Sequence, residues 1–188
     1  MKTHFIETEL AYDGSQLRSL FAYLGYGVQG TSIISWIGAC SIPNEHMIDG
    51  EDLLAGETIA GAKMVHFIIE RFETQLFGAV TLQRLMASIV METLRDSASA
   101  AIRREGDDIF IDSGTGDGKF SISIATLSPL SALIHFAVNI VNDGTPVKTA
   151  CLNDIGLDAK TFALEVMKRV AAEVDSIETA TVKVRWAH

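Results

Sequence analysis

A helical repeat of apolar residues is the most regular feature of the chain. Over residues 74–96 apolar side chains recur at helical spacing, and polar side chains line another face. A second such segment runs over 159–174, where Asp158 is placed to cap a helix and Leu157 and Phe162 have the spacing of a hydrophobic staple. These patterns predict two long amphipathic helices.

Alternation of apolar and polar residues indicates several strands. Over 119–125 and 133–141 the alternation is that of a strand with one face against a core. A short helix after Ser15 and a glycine-rich loop at 25–30 are predicted between the first two strands. The predicted strands are 5–10, 31–37, 65–70 (where a helix is the alternative), 108–112, 119–125, 133–141 and 179–186.

The order of these elements indicates the fold class. Residues 113–118 are rich in glycine and aspartate, which is hairpin chemistry, and predict that 108–112 pairs with 119–125. The chain then consists of strands, helix, hairpin, strand, helix and strand, which is not a βαβ series. We therefore predict one α+β domain over residues 1–188, with a mainly antiparallel sheet and helices on one face.

Composition and charge narrow the range of partners. The chain has 188 residues with 24 acidic and 15 basic side chains, hence a net charge of −9 and a pI near 4.9. That balance argues against binding to nucleic acid or to a membrane surface. The N-terminus has no apolar core of signal-peptide length, and the most apolar stretch, 126–141, is too short to span a bilayer, so we expect a cytoplasmic protein. The apolar fraction of 48% favours a homodimer.

One face of the predicted sheet carries candidate ligand-binding residues. The polar positions on two predicted strands are Lys119, Ser121, Ser123, His135 and Asn139. Small hydrogen-bonding side chains can line a ligand cleft, and a lysine beside a glycine-rich turn can neutralise a phosphate. The alternative is the solvent side of an antiparallel sheet. His135 is either a hydrogen-bonded core histidine or a ligand-binding or acid–base group.

Three further features are candidates for ligand or metal contact. The glycine-rich loop would let the backbone approach a phosphate, which makes Gln29 and Gly30 candidates, and a plain turn is the alternative. Arg84 on the first long helix could reach a ligand or pair with a surface acid. His66 and Glu70 share a face of a strand, but no third ligand stands at metal-binding spacing, so no metal site is predicted.

Short motifs occur along nearly the whole chain. They are YDGSQL at 12–17, GVQGTSI at 27–33, HFIIE at 66–70, QRL at 83–85, GDDI at 106–109, KFSISIATLSP at 119–129, IHF at 134–136 and NI at 139–140. Together they resemble the family catalogued as domain of unknown function 366. That resemblance implies a shared fold and no particular activity.

A second resemblance concerns the middle of the chain. Asp107 and Asp108 open one predicted strand and Lys119 begins the next, which is similar to a hairpin of lipoate and biotin protein ligases. The resemblance implies acyl-adenylate formation, in which a carboxylate attacks the α-phosphate of ATP, with Lys119 on phosphate or acyl oxygen and Asp108 helping to bind Mg²⁺. The chain departs from the ligase pattern at Asp107 in place of asparagine, at Ser123 near a usual glycine, and at the 25–30 loop, which has no arginine.

Two functions follow from these observations. The first is an ATP-dependent acyl-adenylating ligase or acyl transferase acting on a small carboxylate such as lipoate or biotin, with Lys119 and Asp108 as catalytic residues and ATP and Mg²⁺ as its requirements. The second is a non-catalytic small-molecule-binding or interaction protein on the same fold. Convergence of Lys119, Asp108, His135 and Gln29 on one pocket would favour the first function.

Overall fold

A five-stranded sheet and a three-stranded sheet form the centre of the computed structural model, which describes residues 1–73, 75–112, 114 and 116–187. The elements are β1 (Lys2–Phe5), α1 (Phe21–Tyr26), β2 (Ser32–Ile42), α2 (Gly50–Ala55), β3 (Ile59–Phe72), α3 (Leu76–Ser97), β4 (Ala101–Glu105), β5 (Asp108–Asp112), β6 (Asp117–Lys119), β7 (Ser121–Leu127), β8 (Ser131–Asn139) and α4 (Ala159–Thr181).

Nearly all neighbouring strands in the two sheets are antiparallel. The larger sheet has the order β1-β2-β3-β8-β7, in which β1 and β2 are parallel and the other neighbours are antiparallel. The smaller sheet has the order β4-β5-β6 and is antiparallel. The predicted α+β class with a mainly antiparallel sheet is therefore confirmed.

The two faces of the larger sheet bury different parts of the chain. Helices α3 and α4 pack on one face, where Met86 and Val170 meet Phe67 and Phe136 in the main core. Each such fully buried apolar side chain stabilises the fold by roughly 1.5–3 kcal/mol. The opposite face is covered by residues 6–22, so both long helices share one face, as predicted.

Both long helices and the strand at 65–70 are confirmed. The helix predicted over 74–96 is α3, and the helix predicted over 159–174 is the first part of α4. Asp158 caps α4 by accepting a hydrogen bond from the Thr161 N–H at 2.8 Å. Residues 65–70 lie within β3, so the helical alternative for them is wrong.

The N-terminal predictions are wrong in detail. The first strand ends at Phe5 rather than at residue 10. Ser15 does not cap a helix, because its N–H and hydroxyl both donate to Asp13 in a tight turn. Helix α1 instead begins after Leu20, whose backbone has φ 62 and whose N–H donates to the buried Glu70 carboxylate. Much of the predicted 25–30 loop remains a connection, although α1 continues to residue 26.

The predicted hairpin between 108–112 and 119–125 forms only at the end next to the turn, where Phe110 pairs with Lys119, and the pairing predicted for 120–125 is wrong. Strand β5 pairs with β4 and β6, whereas β7 pairs with β8 in the other sheet. The change of sheet occurs at the buried Phe120, whose N–H donates to Ile109 O and whose carbonyl accepts from Asn139 N. The predicted turn includes Ser113 and Thr115, which lie outside the described residues.

That change of sheet also reverses the predicted faces of β7. Ser121 and Ser123 pair with Val138 and Phe136 and therefore lie on the face covered by α3. His135 and Asn139 lie on the opposite face of the same sheet. The prediction that all these polar residues share one face is wrong, because the reversal at Phe120 cannot be read from alternation alone.

The predicted C-terminal strand over 179–186 is also wrong. Helix α4 continues to Thr181, and residues 182–187 form no strand. The apolar side chains that suggested a strand are exposed there, with Trp186 92% accessible. In the described part of the chain, the helices are all too short or too polar to cross a membrane.

Candidate functional site

A cleft of about 550 Å³ opens at the edge of the larger sheet. Strand β7 and the end of β8 form one wall, and the smaller sheet contributes β5 and β6. Helix α2 and residues 145–149 complete the rim. A concave space of this size between two structural layers is typical of a small-molecule site.

An ion pair between Lys119 and Asp108 lies at the wall of this cleft. Lys119 Nζ is 2.9 Å from Asp108 Oδ2, and each side chain is about one-third exposed. The Lys119 backbone is held on both sides, since its N–H donates to Lys148 O and its carbonyl accepts from Ala150 N. A partly exposed pair of this kind adds little stability, so its main consequence is a fixed ammonium and carboxylate facing the cleft.

Ser121 and Asn139 line the same wall and have structural partners. Ser121 Oγ accepts a hydrogen bond from Ile109 N at 2.9 Å. The Asn139 amide donates to Lys119 O at 3.1 Å and to Ala150 O at 3.2 Å. These bonds tie the two sheets together directly behind Lys119.

Arg84 and Ser123 both contact the Asp107 carboxylate. Arg84 Nη1 forms an ion pair with Asp107 Oδ1 at 2.7 Å, and Asp107 Oδ2 accepts from Ser123 Oγ at 2.6 Å and from Gln83 Nε2 at 2.8 Å. Arg84 also lies over Gly106, where an added Cβ would be 2.2 Å from its Nη1. The predicted alternative of an arginine paired with an acid therefore describes Arg84.

The cleft has a strong excess of negative charge. The carboxylates that line it are Asp49, Glu51, Asp52, Glu57, Asp107 and Asp108. Among the described lining residues, Lys119 is the one cation. Burial, followed by the neighbouring Asp49 carboxylate, raises the pKa of Asp52, as expected where charges of one sign crowd together.

A smaller recess of about 50 Å³ adjoins the cleft and contains His135. His66 Nδ1 is 3.1 Å from His135 Nε2, and His66 Nε2 is 3.2 Å from Gly38 O. The Tyr12 ring stacks on His135 with 3.7 Å between centroids. Burial lowers the pKa of His66 to about 4, and burial followed by the proximity of His66 lowers the pKa of His135 well below its usual range. Burial also raises the pKa of Cys40 to about 12, so that thiol is not a ready nucleophile.

The structure brings most of the predicted site residues together. Those lining the cleft are Lys119, Asp108, Ser121, Ser123 and Asn139. His135 lines the recess, which shares Asp49, Asp52 and part of β7 with the cleft. Gln29 and Gly30 precede β2 at the end of the sheet where Ser32 pairs with Glu70, whereas the cleft lies at the opposite end of β3.

The predicted grouping of His66 with Glu70 does not form a metal site. Both lie on one face of β3, but the Glu70 carboxylate accepts from Leu20 N and Ser131 Oγ, away from the histidine pair. Within the described part of the chain, no three His, Cys, Asp or Glu side chains are arranged to hold a metal ion. The acids at 49–57 were not predicted as site residues, because in sequence they suggest only a solvated loop.

The fold is that of biotin and lipoate protein ligases. The apo biotin protein ligase of Aquifex aeolicus matches with a TM-score of 0.61 and 14% identity, over 95% of this chain and 72% of the ligase. The T. acidophilum protein Ta0514, a proposed lipoate protein ligase with bound lipoic acid, matches with a TM-score of 0.56 and 14% identity, over 92% and 86% of the two chains. Identities this low show a common fold alone.

The chain belongs to the DUF366 family of unknown function, whose model matches residues 1–185. A protein of unknown function from Pyrococcus horikoshi is 34% identical, with a TM-score of 0.90 over the full length of both chains. The uncharacterized protein MJ0805 of Methanocaldococcus jannaschii is 29% identical over 95% of this chain and 81% of its own length. Both resemblances predicted from the motifs are thereby confirmed.

Proposed function

We propose that this protein binds a small organic molecule in the cleft beside Lys119. The observation that carries the proposal is the Lys119–Asp108 pair, fixed at 2.9 Å and one-third exposed, on the wall of a cleft of about 550 Å³. The pair offers a hydrogen-bond donor and an acceptor side by side, and apolar residues such as Ile122 and Val147 supply contact area. This combination suits a ligand with both polar and apolar parts.

The lining chemistry does not fit a nucleotide triphosphate held by this chain alone. Six carboxylates face one ammonium, and like charges repel a polyanion. In the described part of the chain, no three His, Cys, Asp or Glu side chains converge as a metal site. We therefore derive no reaction step through ATP or Mg²⁺.

An acyl-adenylating ligase or acyl transferase acting on a small carboxylate is the second candidate. It is favoured by Lys119 and Asp108, which meet where the resemblance to ligases implies, and by the shared fold. The biotin protein ligase of Aquifex aeolicus binds biotin and ATP in one of its structures. For this chain, nucleotide binding and catalysis are matters for the experiment that follows.

Thermal unfolding with and without ligands separates the two candidates. The probes are lipoate, octanoate, biotin and n-hexylamine, each with and without Mg-ATP. A ligand at 100 times its dissociation constant adds about 2.7 kcal/mol, which raises the Tm by roughly 5–10 °C. Lys119→Met removes the ammonium, and Lys168→Met on the exposed face of α4 is the matched control.

Each outcome points to one conclusion. A rise in Tm with an organic probe that is lost in Lys119→Met and kept in Lys168→Met supports the binding site. A rise that also needs Mg-ATP, together with pyrophosphate release, supports the ligase. If no probe raises the Tm of the wild-type protein, the proposed binding function is wrong.

A homodimer and a cytoplasmic location stay predictions. Large apolar side chains such as Leu54, Phe77 and Leu24 are exposed on separate elements, which is consistent with an association surface. Light scattering coupled to size-exclusion chromatography measures the mass directly. A mass of 20.4 kDa would contradict the dimer.

A further inference from the structure

The protonation of the buried histidine pair follows from its hydrogen bonds. A carbonyl oxygen can only accept, so His66 must carry its proton on Nε2, which faces Gly38 O. Both rings are neutral at pH 7, since burial lowers their pKa values, and a neutral ring carries one proton. His66 Nδ1 is then an acceptor, and His135 Nε2 must donate to it across 3.1 Å. The remaining nitrogen, His135 Nδ1, is left with a bare lone pair.

This lone pair belongs to the recess beside the cleft. His135 is 98% buried and yet lines the recess, and in the described part of the chain no donor contacts its Nδ1. An acceptor at the wall of a recess can be reached by a donor that enters the recess. The position therefore calls for a donor from outside the protein's own hydrogen bonds.

Apart from the Tyr12 hydroxyl and the His46 ring, the polar groups around the recess are acceptors or already committed. Asp49 and Asp52 contribute carboxylates, and Asp49 already accepts from the first N–H groups of α2. The Ser123 hydroxyl already donates to Asp107. Ile122 and Ile124 supply apolar walls. The recess thus offers lone pairs and negative charge next to a surface that suits carbon atoms.

We propose that the recess binds a primary amine carried by the small molecule in the cleft, with the amine donating to His135 Nδ1 and the Asp52 carboxylate. An ammonium supplies three donors and the positive charge that the lining lacks. A volume of about 50 Å³ admits only a few atoms, so the amine enters while the body of the molecule stays in the cleft. This inference rests on the proposed binding function and names the ligand class: an amine-bearing molecule with an apolar segment.

The direct test compares three ligands of matched length: n-hexylamine, 1-hexanol and hexanoate. Calorimetric titration measures each dissociation constant for the wild-type protein, for Asp52→Asn and for the control Glu173→Gln, which changes an exposed residue of α4. In the described part of the chain, the hydrogen bonds of Asp52 involve only its backbone, so Asp52→Asn should fold normally. We expect hexylamine to bind most tightly, hexanoate most weakly, and Asp52→Asn to weaken hexylamine by about tenfold to hundredfold.

Long-range proton–nitrogen NMR spectra of the imidazole rings test the lone pair itself. Free protein should show protons on Nε2 of both His66 and His135, and hexylamine should shift the His135 Nδ1 signal. A protonated His135 Nδ1 in the free protein overturns the inference, and so does hexanoate binding as tightly as hexylamine. If carboxylates bind in a Lys119-dependent manner and amines do not, the cleft stands and the amine site is wrong. If no probe binds at all, the proposed function and the amine site are both wrong.

Discussion

Acidification from pH 7 to pH 5 should destabilise this protein through His66 and His135. The two side chains are 0% and 2% exposed, and burial lowers the pKa of His66 to about 4 and that of His135 well below its usual range. In the unfolded chain both rings take up a proton near pH 6.5. Between these values the unfolded state binds more protons than the folded state, so the free energy of unfolding must fall as the pH falls.

The size of the effect follows from the same difference. A separation of about 2.5 pKa units for His66 corresponds to roughly 3 kcal/mol, lost between about pH 6.5 and pH 4. His135, whose pKa burial also lowers, acts in the same direction. Two protons give a maximum slope of about 2.7 kcal/mol per pH unit, a large share of a total stability of about 5–15 kcal/mol. Asp158 and Glu165, whose pKa values are lowered by hydrogen bonds to Thr161 and Arg169, act mainly at more acidic pH.

Urea unfolding at half-unit steps from pH 7.5 to pH 5 measures the slope. His4→Gln removes a partly exposed histidine outside the pair and serves as the matched control. Titration of the ring protons by NMR reports each histidine separately. A maximum slope below about 1.4 kcal/mol per pH unit would refute the reasoning, because it corresponds to the uptake of less than one proton on unfolding. So would a His66 ring that titrates near pH 6.5 in the folded protein.

Three further substitutions and one truncation test the packing and the buried hydrogen bonds. Gly38→Ala places a Cβ 1.9 Å from Leu10 O and should cost about 1–3 kcal/mol or more by thermal unfolding, whereas Gly25→Ala meets nothing within 4 Å and should be neutral or stabilising. Glu70→Gln sets an amide against donors and should cost about 1–3 kcal/mol, seen as a lower urea midpoint. Ending the chain after Lys183 should leave the Tm within about 1 °C, because residues 184–187 are exposed.

The long helices could be predicted because their evidence is local. In α3 and α4 apolar residues recur at helical spacing over many turns, and Asp158 marks one start. The segment 179–186 shows the limit of such patterns. Its alternation of apolar residues matches a strand, but a strand also needs a free sheet edge as partner, and α4 simply continues to Thr181.

The position of the site could be predicted only in part. Lys119 and Asp108 were indicated by resemblance, and the structure places them 2.9 Å apart. The faces of Ser121 and Ser123 were predicted wrongly because the chain changes sheets at Phe120, and one shift of register reverses every side chain that follows. A reversal of this kind depends on long-range pairing, which alternation does not contain.

The acids around α2 were missed for a related reason. In the sequence, residues 45–52 suggest a polar loop, and nothing local indicates that α2 lies beside β7 and β8. Only the folded chain brings Asp49 and Asp52 to both the cleft and the recess. Asp49 and Asp52 contribute negative charge to the site, and this contribution can be recognised only in the folded structure.

The negative charge of the cleft bears on which class of ligand binds, whereas the position of the cleft bears only on where it binds. The cleft at the edge of the larger sheet is where we propose that a molecule binds. Its position does not indicate which molecule, because a single charge about 6 Å away changes the interaction energy by about 3 kcal/mol at an effective dielectric constant near 20. Asp108 pairs with Lys119 and Asp107 with Arg84, so among the described lining residues four carboxylates (Asp49, Glu51, Asp52 and Glu57) have no paired cation, and they favour a cationic ligand over a polyanion.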